Sequence, residues 1–274
     1  MLNRIIPSTG ESLPAIGLGT WQTFDVSGRF SYPKLTEVLN SLQHHGGVLI
    51  DSSPMYGRSE KVIGDLTSEM NTRDKFFYAT KVWTTGRDQG ILQMEGSMQK
   101  MQRDAMDLMQ IHNLTDWKTH LPVLRSWKEQ GKIRYIGITH YTDSMHSALE
   151  EVLIKEQIDF VQFNYSIEST HAEKRLLDAA AAHGVATIIN RPFGEGRLFR
   201  MVKGKALPEW AAEAGMKNWS AFFLKFILSH PAVTCIIPAT SDPQHADDNF
   251  SAARGPLPDA ALRKKMRDYI STPA

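Results

Sequence analysis

The sequence predicts a (β/α)8 TIM barrel, an α/β fold, that forms a single domain over residues 1–274. Three observations support this prediction. Eight short apolar runs recur along the chain, amphipathic helical patterns lie between them, and the chain is close to the roughly 250 residues that one such barrel requires.

The eight apolar runs predict the strands of the barrel. Several of them show little alternation of apolar and polar residues, as expected for parallel strands buried on both faces. The predicted strands cover residues 15–21, 48–52, 76–83, 106–112, 135–140, 160–165, 186–191 and 235–240. Ahead of them, residues 3–14 place a Thr-Gly turn between two short β-type segments, which predicts an N-terminal β-hairpin that closes the bottom of the barrel.

Helical patterns fill the spaces between strands. In residues 33–46, Leu35, Val38, Leu39 and Leu42 fall on one face, and two glycines follow as a stop signal. Comparable patterns cover residues 59–70, 143–156, 171–183, 208–229, which fits one or two helices, and 259–270. A further helix is expected to begin at Pro243, with Ser241 or Asp242 as its cap.

A doubly wound sheet is the alternative α/β arrangement. Such sheets usually carry a G-x-G-x-x-G motif after the first strand. Residues 17–22 read G-L-G-T-W-Q and lack the third glycine at that spacing, so the barrel is favoured.

Composition excludes several classes of partner. The chain has 31 basic and 30 acidic side chains, a balance that argues against a nucleic-acid or anionic membrane partner. No apolar run approaches the roughly 18 residues of a membrane span, and the N-terminus has no signal-peptide pattern. We therefore expect a cytoplasmic protein, although a removed leader peptide would leave no trace. The single cysteine, Cys235, lies in an apolar run and is expected to be a buried structural thiol.

Polar side chains stand where the predicted strands end, which is where active sites form in barrels of this kind. Asp51, Lys81 and His112 belong to the second, third and fourth strands, and Tyr56 lies in the loop after the second. Taken singly, each residue has an ordinary structural explanation, but four at adjacent strand ends favour a catalytic site.

The chemistry of these four residues is complementary. A tyrosine has a pKa of about 10, and a neighbouring ammonium lowers it. Lys81 is predicted to supply that charge, Asp51 to hold Lys81, and His112 to orient an incoming oxygen by a hydrogen bond. The set predicts a proton donor for an oxygen that gains negative charge.

The motifs around these residues resemble the aldo-keto reductase superfamily. The similarity rests on D-S-S-P-M-Y-G at 51–57, A-T-K-V-W at 79–83 and L-M-Q-I-H-N at 108–113, and it extends over the whole chain. The resemblance implies that Asp51, Tyr56, Lys81 and His112 form a catalytic tetrad with Tyr56 as general acid. It also implies hydride transfer from a nicotinamide cofactor bound without a Rossmann domain, and it implies no metal.

The nicotinamide site matches the family at some positions and differs from it at others. Gln162 matches the position that binds the carboxamide. Thr139 and His140 stand where the family often has Ser-Asn for the same task. Asn190 replaces the tyrosine that many members stack on the nicotinamide ring.

Two later segments match the phosphate and adenine sites of the family. The loop after the seventh strand is expected to wrap the pyrophosphate, through Arg191, Gly194 and Arg197. The helix after the eighth strand is expected to bind phosphate and adenine, through Thr240, Ser241, His245, Asp248 and Asn249.

NADPH is the expected cofactor, with NADH as the alternative. Ala239 and His245 stand where the family often has a lysine and an arginine for the 2′-phosphate, and a histidine is mostly neutral at pH 7. We therefore expect a small preference for NADPH that grows as the pH falls.

The substrate is expected to be a small carbonyl compound. Trp21, Phe24, Met55 and Trp83 follow or end strands near Tyr56 and predict an apolar pocket wall. The connection after His112 and the C-terminal segment are short, so the pocket should be open and favour small aldehydes or dicarbonyls over steroids and sugars. Oligomeric state is not determined by these features, and a monomer is slightly favoured.

Two other functions compete with carbonyl reduction. Lys81 on a barrel strand would also suit a Schiff-base aldolase, although that function leaves Tyr56 unexplained. A redox-sensing or regulatory subunit that binds the cofactor but turns over slowly would keep the same four residues.

Overall fold

All eight predicted strands form one parallel sheet in a computed structural model of the chain, which describes residues 1–271. The barrel strands are β3 (Leu18–Gly19), β4 (Leu49–Asp51), β5 (Phe77–Val82), β6 (Met106–His112), β7 (Ile133–Thr139), β8 (Phe160–Asn164), β9 (Ala186–Asn190) and β10 (Cys235–Ile236). Neighbours pair in sequence order. Parallel bridges from Ile16 to Ile236 and from Gly19 to Ala239 bring the first and last strands together, so the barrel is nearly closed.

The predicted N-terminal hairpin is confirmed. Its strands β1 (Asn3–Ile5) and β2 (Ser12–Pro14) pair antiparallel. Ile6 and Leu13 are buried in one apolar cluster with side chains from the lower part of the barrel interior, which include Leu49, Phe77, Leu108 and Phe160. The hairpin therefore seals the end of the barrel opposite the carboxyl ends of the strands.

Helices surround the barrel. They are α1 (Tyr32–His44), α2 (Ser59–Glu69), α3 (Arg87–Lys100), α4 (Trp117–Glu129), α5 (His146–Lys155), α6 (Leu176–Ala182), α7 (Arg197–Met201), α8 (Glu209–Glu213), α9 (Trp219–Leu228), α10 (Pro243–Ser251) and α11 (Ala260–Ser271). Residues 208–229 thus form two helices, and the left-handed Gly215 (φ 78°) lies between them. Among residues 1–271, no helix has both the length and the apolar character that crossing a bilayer demands.

Helices α3 and α4 were not delineated from the sequence. α3 contains two glycines and buries only Gly90, Met94 and Ser97, so it lacks the apolar stripe that predicts a helix. α4 was missed although it does bury a stripe, which includes Leu121, Leu124 and Trp127. Among the helices that were predicted, α1 buries the four aliphatic residues expected of it.

Candidate active site

A polar layer crosses the inside of the barrel near the carboxyl ends of the strands. Asp51, Lys81, Gln110 and Gln162 come from four different strands, and each is at most 2% exposed. The strand register produces this layer, because Lys81 lies opposite Gln110 and Gln162 lies opposite Thr139. A buried polar layer needs internal partners, and the four side chains supply them to one another.

Asp51 is the centre of this layer. Its Oδ2 accepts a hydrogen bond from Lys81 Nζ at 2.7 Å. Its Oδ1 accepts from Gln110 Nε2 at 3.0 Å and from Gln162 Nε2 at 2.9 Å. Lys81 Nζ also donates to the carbonyl of Ser52 at 2.6 Å. The ammonium is thereby held in one position beneath the mouth of the barrel.

Lys81 keeps its charge despite complete burial. Burial alone would lower its pKa, but the Asp51 carboxylate and Tyr56 outweigh that effect, so the pKa of Lys81 is raised above its usual value. A fully buried, charged and hydrogen-bonded ammonium is not the neutral amine that a Schiff-base nucleophile requires. The structure therefore argues against the aldolase function.

Tyr56 lies over Lys81. The turn after β4 brings it there, with the Tyr56 amide donating to the Ser53 carbonyl at 3.0 Å. Lys81 Nζ lies 5.0 Å from the centre of the Tyr56 ring. Burial raises the pKa of Tyr56, while the Lys81 charge lowers it, and the net direction is upward. The expected net lowering of the Tyr56 pKa is thus wrong, and the phenol carries the proton that it is proposed to donate.

His112 is neutral and faces Tyr56 edge-on, with ring centres 5.9 Å apart. Burial, followed by the Lys81 and His140 charges, lowers the pKa of His112 to about 2. Its Nδ1 is 3.0 Å from the Ser53 hydroxyl oxygen. That oxygen also accepts from the Met55 amide at 3.3 Å, which favours the tautomer in which Ser53 donates to Nδ1 and the His112 proton sits on Nε2.

A cavity of about 520 Å³ opens above these residues. Asp51, Tyr56 and His112 line its floor, whereas Lys81 lies below and is not part of the lining. Large apolar side chains form its rim, and each of them is about two-fifths exposed: Trp21, Met55, Trp83 and Tyr141.

The predicted wall needs one correction. Phe24 is completely buried in the hydrophobic core and does not line the cavity. The chain turns back after β3, where the Phe24 amide donates to the Thr20 carbonyl, and this turn directs the Phe24 side chain into the core. Tyr141, which was not predicted, lies in the rim.

The residues predicted for the carboxamide site lie around the cavity in different ways. Thr139, Gln162 and Asn190 line it. Thr139 Oγ1 donates to Gln162 Oε1 at 3.2 Å, and Asn190 Nδ2 donates to the His140 carbonyl at 3.2 Å. The Asn190 Oδ1 is buried and has no partner among the described residues. His140 does not line the cavity, because its ring stacks on Tyr141 and its Nδ1 accepts the Tyr141 amide.

The loop after β9 holds its arginines in ion pairs. Arg191 lines the cavity, has a left-handed backbone (φ 51°), and pairs with Glu195 at 2.8 Å. Arg197 pairs with Glu168 at 3.1 Å and lies outside the lining. Gly194 is also left-handed (φ 55°), so the loop turns sharply here.

The first turn of α10 is capped by its own carboxylate. Asp242 Oδ1 accepts hydrogen bonds from the amides of Gln244 at 2.9 Å and His245 at 3.2 Å.

The residues predicted to bind phosphate and adenine differ in exposure. Ser241 and His245 are exposed, and Asp248 is partly exposed. Thr240 is buried, and its Oγ1 accepts a hydrogen bond from the Asp242 amide. Asn249 is buried and accepts a hydrogen bond from Ser220. None of these predicted residues lines the cavity described above.

Sequence reasoning missed two residues of the site. Gln110 holds Asp51, and Ser53 holds His112. Gln110 carries a readable signal, since it is a polar residue in an otherwise apolar strand, two positions before His112. Ser53 carries none, because serines in a turn are ordinary.

Comparison with known proteins places the chain in a family. Residues 15–264 match the Aldo/keto reductase family. The chain is 27% identical over 279 residues to methylglyoxal reductase YeaE of Escherichia coli, covering 98% of this chain and 96% of that protein. It is 25% identical over 232 residues to glyoxal reductase of Bacillus subtilis, covering 82% of this chain and 78% of that protein.

A solved structure shows the same fold. The aldo/keto reductase from Klebsiella pneumoniae, in complex with NADP and acetate, superimposes with a TM-score of 0.82 at 20% identity, covering 98% of this chain and 95% of that one. The match of residues 15–264 confirms the resemblance inferred from the sequence and the expectation of an oxidoreductase. The chain belongs to the Aldo/keto reductase family.

Proposed function

We propose that the protein reduces small reactive carbonyl compounds, vicinal dicarbonyls in particular, to alcohols with NADPH. One observation carries this proposal: a protonated Tyr56 lies between a buried, charged Lys81 and a neutral His112 on the floor of an open cavity. Relatives named methylglyoxal reductase and glyoxal reductase support the substrate class, and the NADP complex from Klebsiella pneumoniae supports the cofactor.

Each residue of the tetrad has a distinct task in this reaction. Tyr56 gives its proton to the carbonyl oxygen as negative charge develops there. Lys81 stays charged and stabilises the phenolate that remains, and Asp51 keeps Lys81 in place. His112 donates a hydrogen bond from Nε2 to the same oxygen and orients it. NADPH, when bound, supplies the hydride to the carbonyl carbon.

The residues around the cavity fit an anionic dinucleotide with an amide head. Gln162, Thr139 and Asn190 would hold the carboxamide, and the unpaired Asn190 Oδ1 is an acceptor suited to an amide N–H. Arg191 and Arg197 would hold the phosphates. Their present partners, Glu195 and Glu168, would have to be exchanged for the cofactor, since each arginine is already in an ion pair.

The open rim supports small and varied substrates. Trp21, Met55 and Trp83 offer apolar contact at the mouth, and only four residues separate β6 from α4. No long loop after His112 encloses the cavity. Within this proposal the protein acts as a monomer in the cytoplasm, which size-exclusion chromatography and cell fractionation would check.

Steady-state kinetics with the Tyr56→Phe variant test the proposal. We expect wild type to oxidise NADPH with methylglyoxal and glyoxal faster than with a steroid or a sugar aldehyde. Tyr56→Phe should bind NADPH and keep its melting temperature but lose about 10²–10⁴-fold in kcat. Tyr78→Phe is the matched control, because Tyr78 is a buried tyrosine outside the cavity lining, and it should keep full activity.

The same assay distinguishes the regulatory alternative. Tight NADPH binding by wild type without turnover on any carbonyl compound would favour a redox-sensing subunit. Activity of Tyr56→Phe within about tenfold of wild type would remove Tyr56 from the role of proton donor.

A further inference from the structure

We infer that Gln110 is a positioning residue that fixes the Asp51–Lys81 pair and thereby sets the proton affinity of Tyr56. The inference rests on the proposed function, because it concerns the same proton transfer. Gln110 touches neither the cavity nor Tyr56, so it acts only through Asp51.

The hydrogen bonds divide the two oxygens of the Asp51 carboxylate. Gln110 and Gln162 both donate to Oδ1, at 3.0 and 2.9 Å, which leaves Oδ2 to Lys81. A carboxylate with three donors in three directions cannot rotate without breaking bonds. Gln162 lines the cavity and stands where the cofactor carboxamide is expected, whereas Gln110 lies deeper. Gln110 is therefore the donor that stays with Asp51 when ligands occupy the cavity.

The neighbouring strand leaves room for Gln110. Gly137 of β7 pairs with Gln110 in register. A Cβ at position 137 would lie 2.9 Å from Gln110 Cγ and 3.2 Å from the Phe160 carbonyl oxygen. A side chain at position 137 would therefore push Gln110 out of its place beside Asp51.

Stability alone does not explain this glutamine. Its Oε1 is buried and has no hydrogen-bond partner among residues 1–271. Turning the amide over would not help, because the oxygen would then face the Asp51 carboxylate. Leu108, which precedes Gln110 on the same strand face, is apolar and fully buried. The unpaired Oε1 offsets the stability that the Nε2 bond to Asp51 contributes, so the distinctive effect of the amide is the position that it gives Asp51.

Removal of this amide has a predictable effect on Tyr56. The positive end of the Nε2–H dipole partly offsets the charge of Asp51, and that charge raises the pKa of Tyr56. Without Gln110, the carboxylate acts more strongly on Tyr56 and is held by one donor fewer. Proton transfer should become slower, and any basic limb of the kcat profile should move to higher pH.

The Gln110→Met variant tests the inference, because methionine has a similar length and no polar hydrogen. We expect kcat for a small dicarbonyl to fall by about tenfold or more, the effect of one hydrogen bond to a charged group. KM for NADPH should change little. The melting temperature should change little, because loss of the bond to the buried Asp51 carboxylate and removal of the unpaired Oε1 have opposite effects on stability. A loss of activity with little change in stability is not the signature of a packing residue.

The Gln110→Glu variant supplies a pH-dependent rescue. When protonated, the introduced carboxyl donates a hydrogen bond to Asp51, and when ionised it repels Asp51. Activity of this variant should therefore approach wild type at acid pH and fall to or below the level of Gln110→Met at alkaline pH. The Gln110→Met variant should show no such recovery.

Two outcomes would overturn the inference. One is wild-type kcat and pH profile in Gln110→Met. The other is loss of activity in proportion to lost melting temperature, which would indicate packing alone. Tyr56→Phe is measured alongside: if it retains activity, the proposed function itself fails, whereas an inactive Tyr56→Phe with a normal Gln110→Met refutes only the role of Gln110.

Discussion

The Nζ atom of Lys81 lies 2.7 Å from Oδ2 of Asp51, and both side chains are almost completely removed from solvent. A buried ion pair is costly to desolvate, and removing one partner leaves the other charge uncompensated. The Asp51–Lys81 pair therefore affects both the stability of the barrel and the proposed proton transfer at the carboxyl ends of its strands. This coupling leads to the first prediction.

Lys81→Met should abolish reduction and also weaken the fold. The substitution removes the charge that stabilises the Tyr56 phenolate, and it leaves Asp51 buried with only neutral donors. We expect the free energy of unfolding to fall by about 3–5 kcal/mol. Steady-state kinetics and urea unfolding would measure the two effects separately.

The double variant Asp51→Asn/Lys81→Met separates stability from catalysis. It removes both charges, so most of the lost stability should return while activity stays absent. If the double variant is as unstable as Lys81→Met alone, the uncompensated Asp51 charge is not the cause of the loss.

Acid should destabilise the protein through His112. The unfolded imidazole takes up a proton below about pH 6.5, but the folded one, with its pKa lowered to about 2, stays neutral. The unfolded state thus binds the additional proton, and stability decreases as the pH falls from 6.5. The contribution of this residue is about 1.4 kcal/mol per pH unit below 6.5.

His112→Asn measures this contribution. Urea unfolding of wild type and variant at pH 6.5, 5.5 and 4.5 should show a steeper acid loss in wild type. Other histidines with lowered pKa values, including His146 and His230, act in both proteins and cancel in the difference. Equal slopes would mean that His112 is protonated in the folded protein above pH 4.5.

The strands were predictable because a strand that is buried on both faces appears in the sequence as a short apolar run with little alternation. Residues 235–239, for example, read C-I-I-P-A and are all apolar, and the structure places β10 there. The clustering of Asp51, Tyr56, Lys81 and His112 was predictable because the ends of the strands meet at one rim, whatever the helices do. Helix α3 left no comparable mark, since its glycines and polar residues show no stripe.

Other features of the site depend on register and on turns, which a single sequence does not reveal. The contact of Gln110 with Asp51 needs β6 aligned with β5 so that Gln110 lies opposite Lys81. The burial of Phe24 depends on the turn between Thr20 and Phe24, which no sequence motif predicts. The ion pair between Arg197 and Glu168 joins residues that are distant in sequence, so their contact in space could not be predicted.

Glu195→Gln should tighten NADPH binding. Arg191 is proposed to hold a phosphate, and Glu195 competes for it at 2.8 Å. Both side chains are partly exposed, so the gain should be modest, up to about fivefold in Kd. Glu151→Gln is the matched control, because Glu151 forms an exposed pair of the same i,i+4 spacing with Lys155. Fluorescence titration should show no change for Glu151→Gln, and weaker binding by Glu195→Gln would contradict the competition.

The α10 cap bears on the choice between NADPH and NADH. The 2′-phosphate was expected near Thr240, Ser241 and the start of this helix, but Asp242 already occupies the first amides with a carboxylate. Hydrogen bonds from the His245 and Gln244 amides keep the pKa of Asp242 below its usual value, so it is charged at neutral pH. A fixed negative charge there opposes a phosphate.

Asp242→Asn should therefore raise the preference for NADPH. Asparagine caps a helix about as well as aspartate, so the fold should be unaffected. The positive charge of Lys34, which now acts on Asp242, would remain available to a phosphate. We expect the ratio of kcat/KM for NADPH over NADH to rise about fivefold, the size of one charge–charge interaction in water.

The pH dependence of that ratio tests His245 in the same experiment. An imidazole gains its charge as the pH falls, so the ratio should be larger at pH 6 than at pH 8. In His245→Ala the pH dependence should disappear, while the effect of Asp242→Asn should persist, because it does not need the imidazole. An unchanged ratio in Asp242→Asn would show that the 2′-phosphate binds away from this helix. A wild-type ratio below one at both pH values would make NADH the preferred cofactor.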